Sequence, residues 1–304
     1  MKIIDFATSA KNHCKSQKIG TKRKTKEKPS LAAHISTSTM EHTMKPILSL
    51  SHLSKSYGHF QALHDLNLHI TEGNIVGLFG VNGSGKSTLL KILASLLRQY
   101  QGEVEICGMP IGLHTKPLVS YLPDRNFLNP RFNALECKKF FADFFAFDSA
   151  SADSMLELLQ IPTNVPIKSL SKGTIEKLHL IFTLARRAKL YLLDEPIAGV
   201  DIIAREQVFS LITTYIPKDS AVLLATHLVN DAQPICTHAL FIAQGRMLRY
   251  ERKDTILESF DDLQSALKSD YHRAYSSLQP TQNTQDINTQ NIQEQPSTSA
   301  TKEI

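Results

Sequence analysis

The stretch that most constrains the fold is residues 78–88, which reads Leu-Phe-Gly-Val-Asn-Gly-Ser-Gly-Lys-Ser-Thr. It fits the spacing G-x-x-x-x-G-K-[ST], in which Gly80 is the first position and Ser87 the last. A short apolar run of the buried-strand type precedes it, and leucine and isoleucine residues follow at helical spacing. A strand, a glycine-rich loop and a helix in this order predict a phosphate-binding loop.

The residue types of this loop suit a nucleotide. Its three glycines can adopt backbone angles closed to other residues, so that consecutive N–H groups turn toward an anion. Lys86 is expected to reach the β- and γ-phosphates, and the Ser87 hydroxyl to bind the Mg²⁺ that bridges them. We therefore predict a site for ATP or GTP with Mg²⁺. The loop residues assigned to it are Gly80, Asn82, Gly83, Ser84, Gly85, Lys86, Ser87 and Thr88.

A second apolar run supplies the carboxylates that such a site needs. Residues 190–193 read as a buried strand, and Asp194 and Glu195 follow directly. Asp194 is expected beside the metal, and Glu195 is placed to polarise a water for in-line attack on the γ-phosphate. Taken alone, the sequence Asp-Glu-Pro would also suit a surface turn.

Composition limits the class of protein. No run approaches the roughly 18 apolar residues that span a bilayer, so we expect a globular protein that does not cross a membrane by itself. The net charge of +5 arises in residues 11–28, where eight basic residues face one acidic residue. Because the rest of the chain is slightly acidic, no direct nucleic-acid partner is expected. The four cysteines form no C-x-x-C pair.

Three segments differ in composition. Residues 1–44 mix Lys, Ser and Thr and are predicted to be a disordered basic tail, although a lipid- or nucleic-acid-binding arm and a translation start at Met44 stay open. Residues 45–271 are predicted to form the folded domain. Residues 272–304 are rich in Gln, Asn, Thr and Ser and are predicted to be disordered.

Within the domain, hydrophobic periodicity predicts an α/β fold. Period-two alternation in residues 47–51 and 66–70 indicates antiparallel strands, whereas residues 221–225 form a continuous apolar run typical of a parallel sheet. Helices predicted over residues 133–147, 150–159 and 174–188 form an inserted helical subdomain at about 125–188. Four phenylalanines of the first helix are expected to pack on one side, namely Phe140, Phe141, Phe144 and Phe145.

One further motif makes the chain resemble a known family. Residues 170–174, Leu-Ser-Lys-Gly-Thr, stand just before a predicted helix and resemble the signature sequence of ATP-binding cassette (ABC) ATPases. The resemblance extends to Tyr57, Asp201 and the pair Thr226 and His227, in the family's order over about residues 45–258. It implies a P-loop NTPase of ABC type, with a parallel-sheet core, an antiparallel β subdomain and an inserted helical subdomain.

The resemblance also implies roles for these residues. Tyr57 would stack on adenine, His227 would contact the γ-phosphate, and Asp201 would help to join two cassettes. Ser171 and the Gly173 amide, at a helix N-terminus, would close on ATP held by the opposite subunit. A second ABC ATPase chain, in a homodimer or a heterodimer, is therefore an expected partner.

The chain departs from the family pattern at three positions. Lys172 and Thr174 stand where the signature usually has Gly and Gln, and Asp124 stands where a Gln is common. We include Asp124 among the metal candidates, although contact with a membrane partner is the alternative for it.

The function implied by the resemblance is that of the ATP-binding and ATP-hydrolysing subunit of an ABC transporter. Such a subunit lies peripherally on the cytoplasmic face of the membrane and powers a separate permease subunit, which selects the substrate. The alternatives are a soluble ABC-type ATPase that acts on nucleic acid or ribosomes, and a nucleotide-gated binding module without useful hydrolysis.

Overall fold

The computed structural model describes residues 46–197 and 202–276. The strands in this part are β1 (Pro46–Tyr57), β2 (Phe60–Thr71), β3 (Ile75–Phe79), β4 (Gln101–Ile106), β5 (Met109–Pro110), β6 (Val119–Leu122), β7 (Leu190–Asp194), β8 (Ala221–Thr226), β9 (His238–Ala243) and β10 (Arg246–Arg252). The helices are α1 (Lys86–Leu93), α2 (Ala134–Phe144), α3 (Ser149–Leu158), α4 (Lys172–Leu184), α5 (Ile202–Tyr215), α6 (Val229–Ala232), α7 (Lys253–Leu257) and α8 (Leu263–Ser276).

The strands form two sheets. One has the order β2-β1-β4-β5, is antiparallel, and alternates buried with exposed side chains as the period-two pattern predicts. The other has the order β10-β9-β3-β8-β7-β6, in which only β10 runs antiparallel to its neighbour among the described strands. Its central strands are buried along their whole length, as expected for a parallel sheet covered on both faces. The predicted fold class is confirmed.

Two apolar cores flank the parallel sheet. One lies between this sheet, α1 and the antiparallel sheet, and contains Leu78, Leu89 and Leu223. The other joins the opposite face of the sheet to α2, α3 and α4, and contains Phe141, Phe182 and Tyr191. The sheet therefore serves as the common wall for both halves of the domain.

The helices between β6 and β7 begin at polar caps. Asn133 and Glu136 form a reciprocal capping box at α2, and the Ser171 hydroxyl accepts the Thr174 N–H at the start of α4. α4 ends at Leu184, four residues before the predicted end. The reason is that Arg186 and Arg187 pair with the residues before α3: the Arg187 N–H donates to the Ala146 carbonyl at 2.8 Å.

The phenylalanines of α2 do not all pack on one side. Phe141 is buried and stacks on Phe182 of α4 at 5.2 Å between centroids. Phe140 and Phe144 lie on the next stripe of the helix, 45% and 69% exposed, and pack against each other at 4.7 Å. The prediction was wrong for this pair because residues one apart in a helix differ by about 100° in direction.

The last helix continues past the predicted domain end at residue 271, since α8 runs to Ser276. It is tied to β10 by Arg249, whose guanidinium donates to both oxygens of the buried Asp270 carboxylate at 2.6 and 3.0 Å. Across the described ranges, each helix is too short or too polar to cross a bilayer.

Candidate active site

Residues 80–85 form a loop between β3 and α1, and two of its glycines have left-handed backbone angles. Gly83 has φ +80° and Gly85 has φ +107°, as the sequence predicts. Gly80 is different: its φ is not positive, but an added Cβ would lie 2.2 Å from the Ile242 carbonyl oxygen of β9. The expectation of a special backbone angle was therefore wrong for Gly80, whose requirement is close packing against β9.

Lys86 places its charge inside this loop. The side chain is buried, and Nζ donates to the carbonyl oxygens of Gly80 at 2.8 Å and Val81 at 3.2 Å. Burial lowers the pKa of Lys86, and the carboxylates of Glu195 and Asp194 oppose that shift. The ammonium group thus lies in the concavity lined by the loop backbone.

The strand order brings the carboxylates to the same edge. Because β8 separates β3 from β7, the ends of all three strands meet there. The Ser87 hydroxyl donates to Asp194 Oδ1 at 3.2 Å, although the two residues are 107 positions apart. Burial raises the pKa of Asp194, the Ser87 hydrogen bond opposes this, and the nearby carboxylates of Asp124 and Glu195 raise it further.

This pair fits a divalent cation. Asp194 Oδ2 is buried and, in the described part of the chain, has no hydrogen-bond partner. The described residues contain no cluster of three or more His, Cys, Asp or Glu side chains able to hold a metal. Mg²⁺ is commonly held by one or two carboxylates together with substrate phosphates. An orphaned carboxylate oxygen beside the Ser87 hydroxyl suits that arrangement.

Glu195 is held by the end of β8. Its N–H donates to the Ala225 carbonyl at 2.8 Å, and its φ of +51° is unusual for a non-glycine residue. One carboxylate oxygen accepts the Thr226 hydroxyl at 2.9 Å, and the other lies 3.0 Å from His227 Nδ1. The strained backbone and two side-chain contacts fix the direction of this carboxylate.

Further predicted residues lie at the end of β1, at the start of α4 and in the loop after β6. Tyr57 ends β1, is 46% exposed, and has Lys55 Nζ 4.6 Å from its ring centroid. Ser171 is exposed and its hydroxyl bonds to Thr174 within α4, with Gly173 in the first turn of the same helix. Asp124 lines a cavity of about 630 Å³ that also contacts Asp194 and Glu195. Asp201 lies outside the described residues.

Sequence reasoning missed two contributors to the site. The Gly245 N–H, in the turn between β9 and β10, donates to the Ser84 carbonyl at 2.9 Å, so this turn supports the loop from behind. The Tyr121 hydroxyl is buried, and burial and the Asp194 carboxylate raise its pKa. A Gln-Gly dipeptide marks a turn in the sequence, but nothing local shows what that turn contacts.

Fold and site together define the class of a P-loop nucleotide hydrolase: a lysine inside a glycine-rich loop, a serine hydrogen-bonded to an aspartate, and a glutamate meet at one edge of the sheet. Comparison with known proteins shows which family the chain resembles. The family model described as ABC transporter matches residues 63–198. The ABC transporter ATP-binding protein YtrB of Bacillus subtilis is 28% identical over 232 residues, which cover 75% of this chain and 80% of YtrB.

Further relatives agree. The Nod factor export ATP-binding protein I of Cupriavidus pinatubonensis is 28% identical over 222 residues, 70% of this chain and 68% of its own. A solved ATP-binding subunit of an ABC transporter superposes with a TM-score of 0.66 at 24% identity, covering 75% of this chain and 98% of that one. A dimeric bacterial ABC transporter cassette superposes with a TM-score of 0.61 at 23% identity, covering 68% of this chain and 98% of that one.

Motifs, family model, relatives and fold agree: the chain is similar to the ATP-binding, ATP-hydrolysing subunits of ABC transporters. The resemblance inferred from the motifs is confirmed, and the transporter function is favoured over the soluble alternative.

Proposed function

We propose that this chain pairs with a second ABC ATPase chain, binds ATP·Mg²⁺ with residues 80–88 and Asp194, and uses Glu195 as the base for hydrolysis. One observation carries the proposal: Lys86, the Ser87–Asp194 pair and the Glu195–His227 pair converge at one edge of the sheet. These groups match the charges that phosphoryl transfer to water requires.

Ser87 and Asp194 would hold the Mg²⁺, and Asp124 faces the same cavity. A cation held there would neutralise negative charge on the nucleotide phosphates. A carboxylate at position 124 would accept a hydrogen bond from a metal-bound water more readily than it would approach a phosphate directly. We therefore propose that Asp124 assists cation binding without contacting the phosphates.

The Glu195 carboxylate would accept the proton of the attacking water. The contact between Glu195 and His227 determines which nitrogen of the imidazole carries the proton. Because a carboxylate only accepts hydrogen bonds, Nδ1 must carry the proton that faces Glu195. Nε2 of a neutral ring is then an acceptor, so His227 donates to the γ-phosphate only when the ring is protonated or after the Glu195 contact breaks.

A second chain would complete each site. Ser171 is exposed and Gly173 is half-buried at the start of α4, so both can be reached from outside the chain. Donors at a helix N-terminus suit the phosphates of a nucleotide held by a partner. Tyr57 would stack on the adenine of the chain's own ATP.

The membrane component would be a separate permease, with this subunit peripheral on the cytoplasmic face. The exposed pair Phe140 and Phe144, with Phe145 and Phe127 at 38% and 40% exposure, gives one side of the helical subdomain an apolar surface. Exposed apolar patches of this kind mark contact surfaces. We assign this aromatic surface to the permease contact.

The test of the proposed chemistry is Glu195→Gln, which keeps the shape of the side chain and removes the base. We expect steady-state phosphate release to fall by about 100-fold or more, while ATP binding is retained. The matched control is Glu258→Gln, the same chemical change at an exposed position after α7, which should hydrolyse ATP at the normal rate. An unchanged rate in Glu195→Gln would show that Glu195 is not the base.

A further inference from the structure

The loop that carries Asp124 is fastened to α4 by a hydrogen bond between side chains. Asn126 Oδ1 accepts the Leu128 N–H at 2.9 Å and lies 2.7 Å from His179 Nε2. The Leu128 contact identifies this Asn126 atom as the oxygen, which only accepts. His179 is therefore the donor, and Nε2 carries its proton.

The imidazole is also buried under an aromatic ring. His179 is 5% exposed, and the Phe127 ring stacks on it with centroids 4.5 Å apart and planes 25° apart. Phe127 meets the edge of Phe141, which stacks in turn on Phe182 of α4. Burial lowers the pKa of His179 to about 4, so the ring is neutral at pH 7 and keeps its Nε2 donor.

Near the hydrogen bond between Asn126 and His179, α4 borders a cavity. We call α4 the signature helix from here on. The cavity of about 630 Å³ is lined on one side by Ile175 and Glu176 of that helix and on the other by Asp194 and Glu195. Glu176 Oε2 is buried with no hydrogen-bond partner among the described residues. The start of the helix and the end of β7 therefore face each other across this cavity.

We propose that His179 is a positioning residue that makes the Asp124 loop and the signature helix move as one unit, so that ATP binding near Asp124 repositions Ser171 and Gly173. This inference rests on the proposed function, in which Ser171 and Gly173 contact the partner's ATP. Asn126 and His179 are in hydrogen-bond contact although they are 53 positions apart in the sequence.

Two substitutions of His179 separate the hydrogen bond from the packing. His179→Gln places an amide N–H near the position of Nε2 and can donate to Asn126. His179→Leu has a similar size and cannot donate. In the full chain we expect His179→Leu to lower kcat about 2- to 10-fold, the range of one lost buried hydrogen bond. ATP affinity of the single chain should stay unchanged, and His179→Gln should recover kcat to within about 2-fold.

Two further readouts report on movement rather than folding. In a Glu195→Gln background, ATP-driven dimer formation should weaken by a similar factor for His179→Leu and not for His179→Gln. Amide exchange followed by mass spectrometry should show faster exchange at Leu128 in His179→Leu, and loss of the ATP-induced protection at Thr174.

The inference is overturned if His179→Leu hydrolyses ATP and dimerises as the natural chain does. It is also overturned if both variants lose activity equally and in step with a lower Tm, because that pattern shows a packing role alone. Failure of the proposed function would look different: the natural chain and Glu195→Gln would then hydrolyse ATP at the same rate, whatever stands at position 179.

Discussion

At the residue scale, burial shifts the titration of two side chains near the site in opposite directions. Burial raises the pKa of Asp194 and lowers that of His179 to about 4, because a low-dielectric environment disfavours the charged form of either group. For Asp194 the Ser87 hydrogen bond counteracts the shift, and a bound cation would do so more strongly. For His179 the lowered pKa suits the hydrogen bond, since the neutral ring is the donor to Asn126.

The His179 shift predicts an acid-sensitive stability. The ordinary pKa of 6.5 applies in the unfolded chain, so between pH 6.5 and 4 the unfolded chain binds more protons there than the folded one. The free energy of unfolding should therefore fall as the pH drops through this window, by at most about 3 kcal/mol from this residue. Urea unfolding at pH 7.5, 6.5, 5.5 and 4.5 measures it.

His179→Leu is the reference for that measurement, because it keeps every other titrating group. The difference in free energy of unfolding between the natural chain and this variant should shrink toward acid pH. Parallel curves for the two proteins would show that the imidazole does not titrate differently on folding.

Residue-level chemistry was predictable only where it is encoded locally. Lys86 and Ser87 stand at fixed offsets in the loop, and Asp194 and Glu195 directly end an apolar strand, so spacing alone indicated their chemistry. The bond between Asn126 and His179 has no such signal: a buried histidine inside a helix looks like any core residue. Only the fold shows that the two side chains meet.

At the element scale, the turn between β9 and β10 acts as a support for the phosphate loop. The Gly245 N–H donates to Ser84, and the Gly245 carbonyl accepts from His64 of β2 at 2.8 Å. A Cβ at Gly245 would lie 2.4 Å from the Ala62 carbonyl oxygen. The loop, β2 and the turn thus meet backbone to backbone, with no room for a side chain between them.

Gly245→Ala should therefore damage the site, and Gly108→Ala is its matched control. Both glycines have φ +73°, but a Cβ at Gly108 would meet nothing within 4 Å. We expect Gly108→Ala to cost about 1–2 kcal/mol of folding free energy for the left-handed angle, with ATP affinity unchanged. Gly245→Ala should cost about 1–3 kcal/mol more and weaken ATP binding. Equal effects in the two variants on urea unfolding and ATP titration would contradict this.

The elements themselves were predicted unevenly. Strands β3, β7 and β8 were found because each is a continuous apolar run. β9 is absent from the predicted strands, because a four-residue helix and a short turn precede it instead of a long amphipathic helix. The early end of α4 was also missed, since the pairing of Arg186 with Phe147 is a tertiary contact that helical periodicity cannot show.

At the scale of the whole molecule, the proposed site is shared between chains, and mixing experiments test this. Lys86→Ala disables the ATP held by a chain, and Ser171→Arg blocks the partner's ATP, so each variant alone should be nearly inactive. In an equal mixture, half of the pairs are mixed, and each mixed pair has one intact site. We expect about a quarter of the natural phosphate release to return, from the symmetry of a two-chain assembly.

The control mixture is Lys86→Ala with Glu195→Gln. Both changes affect the ATP that a chain itself holds, so every site in every pair stays defective and no activity should return. Recovery in this mixture, or none in the first, would argue against a site built from two chains.

The position of β3 in the sheet also decides when the site can form. Both neighbours of β3 come from far along the chain: Ile75 pairs with Val222 of β8, and Val76 with His238 of β9. During synthesis, the phosphate loop leaves the ribosome long before the strands that hold it. Non-local pairing of this kind slows folding and leaves apolar edges uncovered in the meantime. A nascent chain that stops short of β8 therefore carries the phosphate-loop sequence without the sheet that shapes it, and ATP can first stabilise the protein once β8 and β9 have been synthesised.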